Sequence, residues 1–499
     1  MLLRRPLYAL IALAAISTRL LGQEPQEAAP YAGQEMAAGS GVMERPILAA
    51  ETSAPTNGGE EAYVDQAAQQ PAAPPPVIDP FEERFKAIEK RLADADAAKA
   101  KLPSVTVSGV FQADGVAFSQ DQQSRAAYGL IENGGDFRRA RLGAKSAVTD
   151  NMNAFMQMDF AFFGKPTFTD VWVETTNIPV LGNVRVGQWK QPFGLEVVSS
   201  FRYTTMMERS STFQAFTPFR HLGIGFYDHA EDLNTTWAMS YFRTGQDQFG
   251  SSLSTNGGNG LAGRVTHLLW YDEECNGDSY LHLGGGYYLN SPPRDAVRFR
   301  SVPELFVGEF APQPGTGGTS GQLLPGIFLG TPFFVDTNPL LNVDHVHTFG
   351  TEALWVAGRL SVQAEGMAAV VDQRFAPTAA LYGGYVTFGY FLTGEHRPYD
   401  RKAGAIDRVM PFNSFKRGGG YGAWELTSRL SYIDLTNGNI NGGDMENLTS
   451  GINWYINPYC KCVFNHVYSW TQAGIAPNAA AAGFNTQTHI FGVRAQVDF

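Results

Sequence analysis

The stretch DFRRARLGAKSAV, residues 136–148, alternates like a β-strand yet carries Arg138, Arg139, Arg141 and Lys145. On a period of two, Arg139, Arg141 and Lys145 share a face with Gly143, while Ala140, Leu142 and Ala144 share the opposite one. Arg138 is out of phase. A guanidinium is a planar fork of donors that stays charged at working pH, so a stack of them offers successive sites to a phosphate or other small anion. The same parity puts Arg185 with Gly187, Arg264 with Thr266, Arg359 with Ser361 and Gln363, Arg429 with Thr427, and Arg494 with Gln496. Asp159, Glu365, Glu425 and Asp498 also fall on that face, so pairing competes with anion binding there.

Other chemistry is thin. The chain holds no HExxH, no GxSxG and no phosphate-cradling loop, so it reads as no enzyme and calls for no cofactor. His345 and His347 share a strand face, but two histidines without further ligands read as interfacial or loop groups, and no metal site is expected. Cys460 and Cys462 lack partners at zinc spacing, which leaves a local disulfide or free thiols, with Cys275 alone. The glycine runs 284–286 and 418–420 read as bulges or turns.

The elements that must carry the arginines are strands. With 54 Gly, 34 Phe and 20 Tyr among 499 residues and only 17% charged, the composition favours β-structure with tight turns. From Pro103 the sequence alternates in segments of about nine to thirteen residues, the pattern of a transmembrane barrel. Sixteen strands can be placed, beginning near Val105, Asp136, Ala154, Phe168, Asn183, Leu222, Asn234, Gly260, Ser279, His347, Arg359, Gly384, Tyr421, Asn447, Lys461 and Asn485. The expected fold is all-β, a transmembrane antiparallel barrel of about 16 strands over residues 103–499.

If the first strand rises from the periplasm, the periplasmic links TDNMN, NIPVLG, AEDL, DEECNGD, VAG and NPYC are short, while 191–221 and 290–346 on the outer side are long. One periplasmic link, TGEHRPYDRKAGAIDRVMPFNSFKRGG, breaks the rule and marks either a real excursion or a miscounted strand. The last strand turns Phe491, Val493, Ala495, Val497 and Phe499 one way and Gly492, Arg494, Gln496 and Asp498 the other. An arginine on the lipid face costs ~2–4 kcal/mol at mid-bilayer, so energetics assign the basic set to the lumen. Arg138 is then expected near a rim, snorkelling to the interface. The link at 191–221 is long enough to fold inward, which makes Lys190, Arg202, Arg209 and Arg220 candidates for a constriction; packing against a neighbouring subunit is the alternative.

Ahead of the barrel, residues 1–22 have the charged, apolar and small-residue order of a signal peptide, and residues 23–79 read as a disordered Ala/Pro/Gln-rich linker. Within 80–102, Phe81, Phe85, Ile88, Leu92 and Ala95 form a short heptad helix able to enter a periplasmic coiled coil. From Pro103 onward there are 34 acidic and 27 basic residues, a balance of −7, so bulk charge does not attract anions; charge at a constriction decides selectivity.

Several ordered motifs, FRRARLGAKSAV, NVRVGQWKQPFGLE, MMERSS, GYVTFGYFLTGEHRPYD, GAIDRVMP, GAWELTSRLSYIDL and GINWYINP, resemble the phosphate-selective porins O and P of Gram-negative outer membranes. The resemblance covers most of residues 105–499. It implies a sixteen-stranded, usually trimeric outer-membrane porin that passes small anions such as phosphate or polyphosphate. From the family's basic lining it carries over Arg138, Arg139, Arg141 and Lys145. A general or sugar-permeable porin, and a structural outer-membrane protein tethered to the cell wall or a periplasmic partner through residues 23–101, are the alternatives. The expected partners are outer-membrane lipid, small anions and further copies of the chain, and not nucleic acid.

Overall fold

The computed structural model describes residues 84–91, 103–161, 166–245, 257–308, 330–417, 419–475 and 478–499. The expected signal peptide at 1–22 and linker at 23–79 lie outside these residues. Of the predicted heptad helix, residues 84–91 are helical and exposed, and its remaining part also lies outside.

Sixteen antiparallel strands close into one barrel in chain order. They are β1 Ser104–Gln120, β2 Gly134–Thr149, β3 Met152–Asp159, β4 Thr167–Ile178, β5 Gly182–Lys190, β6 Arg220–His229, β7 Thr235–Arg243 and β8 Asn259–Tyr271. The ring continues with β9 Ser279–Ser291, β10 Val343–Ala357, β11 Leu360–Gln373, β12 Ala379–Phe391, β13 Ala423–Asn437, β14 Ile440–Asn457, β15 Cys460–Ala473 and β16 Asn485–Asp498. β1 pairs with both β2 and β16, so no edge is left open. Along β16, Ile490, Arg494 and Gln496 are buried inward, while Phe491, Val493 and Val497 are exposed outward. The terminal Phe499 lays its ring over Gly109, where an added Cβ would sit 2.3 Å from the ring, and exchanges two backbone hydrogen bonds with that glycine. A glycine there gives the chain end a place to lie flat.

Links at the end that holds the C-terminus are short, with one exception at 392–422, and most links at the opposite end are long, which fixes the C-terminal end as periplasmic. The exception is a real excursion and the strand count stands. It enters the lumen, where Tyr399–Asp400 pairs with Ala405–Ile406 in a two-stranded ribbon. Two outer links fold inward as well. Residues 191–219, with short helices α1 Leu195–Val198 and α2 Ser211–Phe216, cross from β5 to the opposite wall. The described parts of 292–342 cover the outer half, where Phe334 stacks 4.2 Å from Tyr128.

The wall is shaped to receive these links. Phe193 is fully buried over a floor of Gly286 and Gly350, where an added Cβ would lie 3.1 and 2.9 Å from its ring. A side chain at Gly350 would force the Phe193 ring to shift, and one at Gly286 would press it by a few tenths of an ångström.

Candidate functional site

Arg138 owes its direction to a β-bulge. Gln112 of β1 pairs with Arg139 and the next residue, Ala113, pairs with Phe137, so Arg138 is the extra residue on β2. A bulge bends its strand and re-aims a side chain. Phe137 therefore faces lipid, whereas Arg138 and Arg139 both turn inward. This corrects the expectation that Arg138 sits out of phase at a rim: its side chain is 13% exposed and pairs with Glu208 of the crossing link. A second bulge, on β4 between the pairs Met156–Val171 and Met158–Phe168, does the same for Asp170, which binds Arg220 at 2.7 Å.

Glu208 is the hub. It meets Arg138 at 2.9 Å, Arg139 at 3.6 Å and Arg494 of β16 at 2.5 Å, and Arg494 also holds Asp114 at 2.6 Å. Burial alone would push the Glu208 carboxyl up, but Arg138, Arg139 and Arg494 outweigh it and hold it well below the usual carboxylate range. Beside the hub, the guanidiniums of Arg139 and Arg141 lie 4.5 and 4.7 Å from the centre of the same Phe201 ring. Arg141 pairs with Asp159 at 2.7 Å, and Arg139 donates to Gln112 Oε1 at 2.7 Å. Arg139 Nε and Arg141 Nη1 are buried without an acceptor among the described residues.

The remaining candidates divide by partner. Arg185 is paired with Glu174 at 2.5 Å, and Arg264 with Glu352 at 2.5 Å while also donating to the Gly404 carbonyl of the excursion. Arg429 binds Glu304 of the outer link at 2.6 Å and Glu196 of the crossing link at 3.4 Å. Lys190 donates to the carbonyls of Val198 and Ser199, and Arg209 to those of Glu196 and Ser199. Burial brings Arg209 down to about 10, and the nearby Arg220 adds to this against the pull of Glu196 and Glu208. Arg202 lies 3.7 Å from Asp498. Lys145 and Arg359 are exposed; Arg359 stands in the periplasmic turn before β11, apart from the cluster. All three cysteines are free thiols, so of the two readings of Cys460 and Cys462 the local disulfide is not formed.

The carboxylates expected on the lumen face have matching roles. Asp159 and Asp498 hold arginines, and Glu365 accepts the backbone N–H groups of Leu195 and Glu196 at 2.8 Å each, fixing the start of the crossing link to β11. Glu425 pairs with Arg397 of the excursion. Sequence reasoning missed Glu208, Glu304 and Glu352 as partners and passed over Arg397, Arg401 and Arg408. Those three arginines stood in the one link whose length broke the pattern, which was the available signal. Arg401 reaches Glu273 at 2.6 Å, the Asp232 carbonyl at 2.6 Å and Asn234 at 2.9 Å, while Arg408 binds Asp498 and the Pro458 carbonyl. The excursion is thereby strapped across the periplasmic mouth, and it meets the crossing link where Ile406 N–H donates to Ser199 Oγ at 3.1 Å. Where the two meet, Ser199, Thr204, Thr205, Gln363, Thr387 and Arg429 line a small polar cleft.

A closed sixteen-stranded barrel with apolar side chains outward, charged pairs inward and links folded into its lumen defines an outer-membrane porin. The sequence pattern described as phosphate-selective porin O and P matches residues 107–499, and the chain belongs to that family. It resides in the outer membrane of a Gram-negative bacterium. It is 26% identical over 302 residues to Porin O of Pseudomonas aeruginosa, covering 56% of this chain and 63% of that protein. It is also 24% identical over 389 residues to an uncharacterized protein of Caulobacter vibrioides, covering 76% of this chain and 71% of that one. Among solved structures, OmpT of Vibrio cholerae, in a trimer form, superposes over 80% of this chain and 100% of its own with a TM-score of 0.47 and 11% identity.

Proposed function

We propose that the barrel is a passive channel for small anions, phosphate or polyphosphate among them, and that it works as a homotrimer. The observation that carries this reading is the pair of buried guanidinium N–H groups, Arg139 Nε and Arg141 Nη1, left without an acceptor over one phenylalanine ring. A buried donor without a partner is costly, and an anion passing Phe201 would satisfy both. Local charge supports it. Among the described residues, the carboxylates that pair with Arg138, Arg139 and Arg494 are Glu208 and Asp114, and Lys190, Arg209 and Lys461 bond carbonyl oxygens. The cluster is therefore net positive within a chain whose total is −11. Arg185, Arg264 and Arg429 each face a carboxylate and would contribute donors along the path more than net charge, while Lys145 and Arg359 are exposed apart from the cluster.

Purified protein in a planar bilayer under a salt gradient should give a reversal potential of anion preference, and millimolar phosphate should reduce chloride current. Cation preference would sink the reading. A second reading, a general or sugar-permeable porin, draws on the hydroxyl and amide groups of Ser199, Thr204, Thr205, Gln363 and Thr387 around an Arg429 that is already paired. Weak selectivity with block by an oligosaccharide would favour it. Residues 23–101 would serve as a tether to the cell wall in either case, and deleting them should loosen the envelope without altering conductance.

A further inference from the structure

The excursion at 392–422 has two halves of opposite character. Its inward half ends at Val409, buried beside Phe391, Ala423 and Tyr455, and its arginines Arg397, Arg401 and Arg408 are all paired. Beyond Val409 the chain turns out over the periplasmic rim. Met410 is 58% exposed, Phe412 67%, Phe415 51% and Tyr421 78%. Lys416 and Arg417 are exposed too, and neither has a carboxylate partner among the described residues.

This outer half is held in a defined shape. Phe415 N–H donates to the Ile456 carbonyl at 2.7 Å, Phe412 N–H to Glu395 at 3.0 Å, and Gly422 N–H to the Asn413 carbonyl at 3.0 Å. Its position is set by the membrane belt. Trp424 and Trp454 alternate with the lumen-facing Glu425, Asn453 and Tyr455, so they face lipid, and their rings stack 5.3 Å apart. Both indole N–H groups donate to the Tyr421 carbonyl, at 3.2 and 2.8 Å, and the Phe415 ring stands edge-on to Trp454 at 5.4 Å. Four large apolar side chains, continuous with a tryptophan belt and accompanied by two unpaired cations, have the composition of a surface that lies in the headgroup region. Water is a poor match for it.

We propose that residues 410–421 form a foot that rests in the periplasmic leaflet of the outer membrane. Met410, Phe412 and Phe415 enter the boundary between headgroups and acyl chains, and Lys416 and Arg417 bind phospholipid phosphates. The foot ties the strap across the lumen to the surrounding lipid, so the same segment touches the permeation path and the bilayer.

The test places benzoylphenylalanine at position 412 or 415 of the full chain, reconstituted in vesicles of phosphatidylglycerol and phosphatidylcholine and irradiated. Leu426, on the lipid face of β13, serves as the positive control. Adducts of lipid mass at 412 and 415 are expected. The double variant K416Q/R417Q should lower the preference for phosphatidylglycerol by roughly five-fold or more, from the attraction of each basic residue to an anionic surface. Crosslinks to a second copy, crosslinks to residues 84–91, or no adduct at 412 and 415 while position 426 labels, would each overturn the proposal.

Discussion

Arg138 of the barrel wall and Glu208 of the crossing link, 70 residues apart in the chain, are joined by two hydrogen bonds of 2.9 and 3.1 Å. The pair exists because one extra residue in β2 turns Arg138 from the lipid side to the lumen. A register irregularity in the wall thus decides where the crossing link is pinned.

Deleting Arg138 removes the bulge without reversing the strand, since Phe137 stays outward and Arg139 inward. The barrel should still fold, as judged by heat-modifiable migration, with the crossing link held by one arginine fewer. Single-channel records should then show more frequent current fluctuations than the parent. A deletion that abolishes folding would mean the bulge is needed for closure itself.

Replacing Glu208 with Gln leaves Arg138, Arg139 and Arg494 sharing Asp114 alone. Breaking a buried pair by removing one partner costs about 3–5 kcal/mol, so the thermal unfolding midpoint should fall. Anion preference should rise in the same protein, because the positive excess grows by one charge. Reversal potentials of the variant and parent, measured side by side, check this.

Acid separates this hub from an ordinary carboxylate. The Glu208 carboxyl is held below its unfolded value by three arginines, so its stabilising contribution is full above the unfolded pKa, near 4.3, and is lost only as pH falls through the lower folded value. Conductance should stay level from neutral pH down to about 4 and change only in stronger acid. A step between about pH 5 and 4 would show that the arginines do not control this group.

Arg401 ties the excursion to two periplasmic turns at once, through Glu273, Asn234 and the Asp232 carbonyl. Arg401→Ala should loosen the strap and raise single-channel conductance while leaving the unfolding midpoint nearly unchanged, since Glu273 is exposed and an exposed ion pair is worth about 0.2–1 kcal/mol. Unaltered conductance would place the strap away from the path.

Much of this architecture was legible in the alternation. Expected and observed strand starts differ by one residue at β1, Val105 against Ser104, and coincide at β9, Ser279, and β16, Asn485. The widest gap is at β14, expected from Asn447 and observed from Ile440, where a register shift opposite Asp434–Thr436 interrupts the alternation although Gly443 still pairs with Ala473. Period two predicts the face of a residue only while the register holds, which is why Arg138 was misplaced and Asp170 unnoticed. Lumen parity did pick out Arg494, Asp159 and Glu425 as inward groups. It was silent on their partners in the links, because Glu208 and Glu304 come from segments with no repeating pattern, positioned by the walls they land on.

The seam between β1 and β16 joins Gln112 to Gln496, 384 positions apart. Every other strand pair in the ring can form between neighbours in sequence, but this one must wait for the whole chain. Its loop-closure entropy is the largest in the molecule, and closure by so distant a contact is intrinsically slow. Until that contact forms, the first and last strands each present a bare row of backbone donors and acceptors, in a medium that offers them no water. Closure of the ring therefore carries the largest entropic cost of any strand pairing, and a chain cut short by one strand would be left with two unpaired edges instead of a slightly smaller pore.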